Sequence, residues 1–367
     1  MHCASLGEFE QGRPVLENLR NVYPSAKIVL SFFSPSGYEI RKDYSGADQV
    51  IYLPMDSAKN ASEFINTIQP SLVIWIKYEY WYYYLRELKE KKIPVLLVSG
   101  IFRESQPFFK WYSGIWKNML RSFRHLFVQT DRSKSLLESI GFTGNISVTG
   151  DTRFDRVIDI AEEAKPLPEL LLEFTQNRRV LVAGSTWEED EAELRHYVKA
   201  HPEVRFIIAP HEIHPENIRD VLKEFPGAIC YSDLIAGEKA APENIQVLII
   251  DNIGMLSRLY RYGHVAYVGG GFGEAGIHNV LEAAVYGRPV IFGPEHEKFA
   301  EAVGLVACGG AFAIENALQL EELLNRFFTE SDFLRDAGKA AKNYVYSQRG
   351  ATEKIINYIQ ENRLLIS

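Results

Sequence analysis

At 367 residues the chain exceeds one ordinary α/β domain and suits two of ~150 to 200 residues each. Hydrophobic residues at 46% and charged residues at 24% can fill two cores, which excludes a disordered or low-complexity chain. The net charge of −8 is uneven: residues 1–160 hold 20 Lys+Arg against 17 Asp+Glu (+3), and the remainder hold 20 against 31 (−11), so an anionic ligand or surface is expected on the N-terminal side.

Cys3, Cys230 and Cys308 match no metal or redox spacing, and so sparse and odd a set argues against a disulfide framework. No run approaches ~18 consecutive apolar residues, and no secretory pattern opens the chain. His211-Glu212-Ile213-His214 lacks the zincin spacing, and Walker A loops and nucleophile elbows are missing, so no metal or other cofactor and no nucleic-acid partner is expected.

Met1-His2-Cys3-Ala4-Ser5 reads as the tail of a first strand with nothing before it, so an upstream segment is expected to be missing. The next apolar runs are Lys27–Ser31, Val50–Leu53, Leu72–Ile76, Val95–Val98 and Leu126–Val128, with helix-period segments between them. Residues 151–178 break the pattern with acids, Pro166 and Pro168. It restarts at Val180–Gly184, Phe206–Pro210, Val247–Asp251, Val265–Val268 and Val290–Phe292. Such alternation predicts an α/β protein with two Rossmann-like, doubly wound parallel-sheet domains facing a cleft. The expected boundaries are 1–155, a linker over 156–178, a second domain over 179–345, and a C-terminal helix within 346–367 packing back toward the first domain.

Ligands of open α/β sheets bind beyond the carboxyl ends of the strands, so the informative residues should follow strands. His2-Cys3-Ala4-Ser5-Leu6-Gly7-Glu8 ends the first strand, and Glu8 is a candidate general base. Ser5-x-x-Glu8 is equally a capping box, in which Glu8 would only satisfy a backbone N–H. Glu79 follows the strand ending at Ile76; it would reach the same edge, or simply suit the helix dipole. Over residues 107–127, Phe108, Phe109, Trp111, Tyr112 and Trp116 alternate with Lys110, Lys117, Arg121 and Arg124. That pattern on one helical segment suits an anionic lipid surface, or a buried helix with snorkelling cations.

In the second half, Ala183-Gly184-Ser185-Thr186-Trp187 ends a strand; Ser185 and Thr186 would donate to a phosphate or cap the following helix. Gly269 to Ala284 runs from strand through a glycine-rich turn into a helix, so backbone N–H groups and a helix N-terminus would converge on an anion. Gly270, Gly271, Gly276, His278 and Asn279 form that turn. Glu282, three residues after Asn279, would accept from a ribose diol or lie idle on the helix surface. Gly271-x-Gly273-x-x-Gly276 matches the dinucleotide spacing, but it does not open a domain and no acid ends the next strand, which leads into Gly293-Pro294. A nicotinamide-dependent oxidoreductase is therefore disfavoured.

Together these motifs resemble the Kdo (3-deoxy-D-manno-octulosonic acid) transferases of lipopolysaccharide assembly, from residue 1 to about residue 350. The opening H-C-A-S-L-G-E is similar to that family's H-A-S-V-G-E, and Tyr78-Glu79-Tyr80-Trp81 to its T-E-x-W-P segment. Ser34-Pro35-Ser36-Gly37, Tyr52-Leu53-Pro54-Met55-Asp56, Gly184-Ser185-Thr186-Trp187, Gly150-x-x-Arg153-Phe154-Asp155 and the G-G-x-H-N-x-x-E helix start also match, in shared order. Lys77 replaces the family's first acid of E-T-E, Tyr82 its proline, Asp151 an asparagine and Met255 a glutamate. The A-P-R-H-P-E motif becomes Ala209-Pro210-His211-Glu212-Ile213-His214-Pro215-Glu216, with no arginine.

The resemblance implies a GT-B fold and an inverting glycosyltransferase that moves Kdo from CMP-Kdo to a phosphorylated lipid A precursor, lipid IVA. Glu8 would be the catalytic base, with Glu79, Ser5 and Gly7 on the acceptor side. Ser185, Thr186, Pro210, His211, Gly270, Gly271, Gly276, His278, Asn279 and Glu282 would hold the donor, His211 standing in for the arginine. Lys110, Trp111, Lys117, Arg121 and Arg124 would meet the lipid at the cytoplasmic face of the bacterial inner membrane. The chain would act there peripherally or through an anchor in the missing upstream segment. No metal is required, because backbone dipoles and cations can offset the leaving-group charge. Rival readings are a sugar-nucleotide 2-epimerase of the same architecture, a related transferase using a UDP- or GDP-sugar, and a non-catalytic binding protein.

Overall fold

A computed structural model of the chain describes residues 1–78, 80–163, 165–237, 245–274 and 276–365. Within them the apolar runs become two sheets of seven parallel strands. The packing divides the chain into one unit of Met1–Arg156 with Gln348–Ser367 and a second of Val157–Ser347.

The first unit contains β1 (His2–Cys3), β2 (Val29–Phe32), β3 (Gln49–Tyr52), β4 (Val73–Ile76), β5 (Val95–Gly100), β6 (His125–Val128) and β7 (Ile146–Val148). Their order is β3-β2-β1-β4-β5-β6-β7. All six residues of β5 are buried, as a strand covered on both faces requires. The chain leaves β1 toward β2 on one side and returns to β4 on the other, so the sheet switches direction between β1 and β4. The helix Leu6–Val22 packs Phe9, Val15, Leu16 and Leu19 into a core that also takes Ile355, Ile356 and Ile359 from the C-terminal helix Ala351–Glu361. That helix is held at its start by Asp155, whose carboxylate accepts from Gly350 N–H and Thr352 N–H, both at 2.6 Å.

The second unit contains β8 (Arg179–Thr186), β9 (Val204–Pro210), β10 (Ile229–Cys230), β11 (Val247–Ile249), β12 (Val265–Val268), β13 (Val290–Phe292) and β14 (Ala311–Ala313). Their order is β10-β11-β9-β8-β12-β13-β14, with the switch between β8 and β12. The stretch expected as a linker carries the end of helix Thr152–Glu162 and helix Glu169–Thr175, and Leu167, Leu171 and Phe174 are buried.

A cavity of about 560 Å³ opens in the first unit at the amino ends of β1, β2 and β4, against Met1, Ile28, Val29 and Val73. It is at the opposite end of the strands from Glu8. Among the described residues no helix is long and apolar enough to cross a membrane.

Candidate functional site

Both switch points gather the residues that follow strands, as the topology dictates. In the first unit, β1 gives way to helix Leu6–Val22 with Ser5 as its N-cap. Ser5 N–H donates to Glu8 Oε2 at 3.0 Å, with Ser5 Oγ at 3.4 Å from the same oxygen. The capping box therefore forms, and it fixes the orientation of a carboxylate that is only 9% exposed. Gly7 is exposed, and no atom lies within 4 Å of where its Cβ would stand.

Lys77 follows β4 in the left-handed region (φ 69°). Its Nζ lies 5.1 Å from the centre of the Tyr78 ring, and the Arg103 guanidinium lies 5.6 Å from it. Burial raises the Tyr78 hydroxyl above the ordinary phenol value; Arg103 and Arg153 oppose the shift, and Glu8 adds to it. Arg153 is gripped by Asp151, which accepts from its Nε at 2.9 Å and from its terminal nitrogen at 2.7 Å. Glu79 falls outside the described residues.

In the second unit, β8 ends in a bulge at Ser185, a non-glycine residue with φ 53°. Thr186 turns inward: it is buried, and its hydroxyl donates to Glu191 Oε1 at 2.8 Å. Neither Ser185 nor Thr186 caps the next helix, Glu188–Ala200, whose N-cap is Trp187. At the end of β9, Pro210 is buried while His211 is exposed and donates its N–H to Thr186 O at 2.9 Å.

Three rings then stack. Trp187 and His211 lie 4.5 Å apart at 27°, and His211 and His278 lie 4.4 Å apart at 20°. Trp187 Nε1–H donates to His278 Nε2 at 3.1 Å. Burial, with the neighbouring His211, lowers His278 to about 4, so this imidazole is neutral at ordinary pH.

The glycine run after β12 is shaped by close approach. Gly270 has φ 93°, and a Cβ there would stand 2.6 Å from Gly276 O. A Cβ on Gly271 would stand 2.6 Å from Gly293 N, where the loop after β13 passes. Gly276 likewise has a positive φ of 79°. The chain folds back so that His278 N–H donates to Gly269 O at 3.1 Å. The expected helix does not start at His278: Leu281–Ala284 is a single turn, with Gly287 at φ 70° beyond it. Much of the turn's backbone is bonded internally: Gly269, Gly273 and Gly276 N–H donate to Gly184 O, Gly270 O and Gly273 O, and Gly270 N–H to Asp190. Asn279 Nδ2 donates to Glu282 Oε1 at 3.1 Å, and Asn279 Oδ1 accepts from Leu281 N.

The segment 107–127 is not one helix. A short 3-10 turn (Pro107–Phe109) and the helix Gly114–Leu120 flank a loop. Phe108 is buried and Trp116 packs against it at 5.7 Å, whereas Trp111 is 96% exposed, Tyr112 54% and Ile115 52%. Lys110, Arg121 and Arg124 are exposed and Lys117 half-buried; among the described residues none of the four pairs with a carboxylate. Among the described residues no cluster of His, Cys, Asp or Glu could hold a metal ion.

Two residues of the second site were not singled out from sequence. Asp190 sits in Glu188-Glu189-Asp190-Glu191, which reads as a solvated acidic helix start, yet it is buried beneath the loops of β8 and β12. Trp187, named before only within the Gly184–Trp187 match, is one of the stacked rings. The available signal was an acid three residues after Trp187, placed to accept from the backbone N–H at the helix start.

Residues 1–156 match the family described as "3-Deoxy-D-manno-octulosonic-acid transferase (kdotransferase)". A 3-deoxy-D-manno-octulosonic acid transferase of Haemophilus influenzae is 26% identical over 98% of this chain and 86% of its own length. Residues 1–156 are thus a Kdo-transferase N-terminal domain, and the chain is similar along nearly its whole length to Kdo transferases, which makes it a glycosyltransferase. A bifunctional glycosyltransferase/methyltransferase of Fusobacterium nucleatum is 27% identical over all of this chain, which spans only 55% of that relative. The two-sheet fold is of the GT-B type. The UDP-GlcNAc 2-epimerase of Neisseria meningitidis, solved bound to UDP-GlcNAc, superposes with a TM-score of 0.67 at 16% identity, covering 98% of both chains. That likeness concerns the fold alone.

Proposed function

We propose that the chain transfers Kdo from CMP-Kdo to a phosphorylated lipid A precursor, with inversion, at the cytoplasmic face of the bacterial inner membrane. The observation that carries the reading is Glu8: a carboxylate held by its own capping box at the switch point of a domain matched to the Kdo transferases. The capping role and the catalytic role are compatible, because the bond from Ser5 N–H aims the group without consuming it as a proton acceptor.

In this reading an acceptor hydroxyl oxygen attacks the anomeric carbon of Kdo while Glu8 takes its proton. The bond from that carbon to the phosphate oxygen breaks, and CMP leaves with the electron pair. One displacement inverts the centre. Fixed donors at the phosphate supply the larger electrostatic contribution. The Ser185 hydroxyl is suited to it, with those N–H groups after β12 that lie outside the internal bonds of Gly269, Gly270, Gly273, Gly276 and His278; Thr186 contributes its backbone, since its hydroxyl is committed to Glu191. His211 takes the place that arginine holds in the family motif, and Glu282 is assigned the ribose.

Lys110, Lys117, Arg121 and Arg124 around the exposed Trp111 suit an anionic lipid surface: cations attract headgroups while an indole settles at the interface.

The test is an assay offering CMP-Kdo, or UDP- and GDP-sugars, with a tetraacylated lipid A precursor, products read by mass. A Kdo-bearing lipid from CMP-Kdo supports the reading, and loss of turnover in Glu8→Gln assigns the base. Release of a free isomerised sugar nucleotide would replace the reading with an epimerase.

A further inference from the structure

The loops after β8 and β12 are far apart in sequence, yet one buried side chain binds both. Asp190 is 1% exposed. Its Oδ2 accepts from Trp187 N–H at 3.0 Å and from Gly270 N–H at 2.8 Å. Its Oδ1 accepts from the Tyr267 hydroxyl at 2.7 Å. A Cβ on Gly269 would stand 2.7 Å from Oδ2, so the carboxylate packs directly beneath the glycine run. A helix cap needs only the first of these bonds. The other two reach across some 80 residues to the strand on the far side of the switch point.

A second tie runs above the first. The indole N–H of Trp187 can only donate, so His278 Nε2 must accept, and the neutral ring then carries its proton on Nδ1. Asp190 sets the Trp187 backbone, and Trp187 sets the His278 tautomer.

We infer that Asp190 is a positioning residue of the donor site. It holds the β8 and β12 loops at the spacing a nucleotide phosphate needs and, through Trp187, keeps His278 as a neutral Nδ1–H donor. Preorganised donors cost no rearrangement when charge develops on the leaving phosphate, which is where such a tether acts. The ligand's identity rests on the proposed function; the tether itself does not.

Hydrogen exchange and nucleotide affinity test it together on the full chain. Asp190→Ala should weaken CMP binding roughly tenfold or more, as loss of a buried acceptor of several bonds implies. It should also speed amide exchange across residues 268–274 while leaving residues 6–22 unchanged. Asp190→Asn should recover most of both: its amide oxygen can take the two backbone N–H groups, and its NH₂ can donate to the Tyr267 oxygen. Trp187→Phe keeps a ring against His211 but removes the N–H, and should cost a few-fold in CMP affinity with exchange at Gly270 unaltered.

Wild-type exchange and affinity in Asp190→Ala would overturn the proposal, as would an Asn variant no better than Ala. Should the Ala variant fail to fold, Tyr267→Phe and Trp187→Phe carry the test, and unchanged affinity in both overturns it. If the wild-type chain binds UDP or GDP but not CMP, the donor reading fails, and the tether is judged with the nucleotide that binds.

Discussion

The two switch points use the same topology and opposite materials. The first presents side chains: Glu8 on a capped helix start, with Lys77, Tyr78, Arg103 and Arg153 around it. The second presents backbone, a glycine run with no room for a Cβ, tied down by a buried carboxylate and walled by stacked rings. A side-chain site can lose its chemistry and keep its shape. In a backbone site, function and shape fail together.

That contrast can be broken by experiment. The largest effect is expected at Glu8: Glu8→Gln still accepts from Ser5 N–H, so the helix start and thermal midpoint should hold, while turnover falls ~10²- to 10⁴-fold. A stability loss comparable to the activity loss would return Glu8 to a purely structural role. Next is the cationic cluster around Trp111 in the same unit. Replacing Lys110, Lys117, Arg121 and Arg124 by Ser should weaken binding to anionic vesicles by roughly 1 kcal/mol per cation at low salt, without changing the melting temperature. Unchanged vesicle binding would remove that surface from the mechanism.

Gly271→Ala should behave in the opposite way to Glu8→Gln. Its new Cβ meets Gly293 backbone at 2.6 Å, so a destabilisation of about 1–3 kcal/mol and weakened nucleotide binding should appear together in melting and titration experiments. Smallest is Glu191. Burial lifts its carboxyl from 4.5 to about 7, against the Thr186 hydroxyl bond that favours the charged form. Its folded pKa lies above its unfolded one, so between those values the native state binds a proton that the unfolded chain does not. The associated stability is complete below the unfolded pKa and is lost as pH rises through about 7. Glu191→Gln should therefore flatten the fall in melting temperature across this window; an identical profile in both proteins would reject the assignment.

The central strands were legible because they are buried on both faces and read as unbroken apolar runs. The three strands that escaped, β7, β10 and β14, are each at an edge of a sheet and only two or three residues long. Edge strands need no continuous apolar run, so nothing marks them in the sequence. The site was legible where local sequence decides it, as in the Ser5–Glu8 box and the glycine run. Where distant residues decide, it was hidden. Asp190 lies in an acidic run, and only Tyr267 and Gly270 reveal that it is buried. The helix after the glycine run was overestimated because His278 N–H is drawn back to Gly269 O, which delays regular structure until Leu281.

The helix Ala351–Glu361 places Ile355, Ile356 and Ile359 against Phe9, Val15 and Leu16, so the first unit's core is written on both sides of the second unit. During synthesis that core must wait, incomplete and with apolar surface uncovered, while all of Val157–Ser347 is made. The second unit lies wholly within one continuous stretch, needs no later segment for its core and can mature first. A ribosome reading this message thus delivers the later-encoded half as the earlier-finished one.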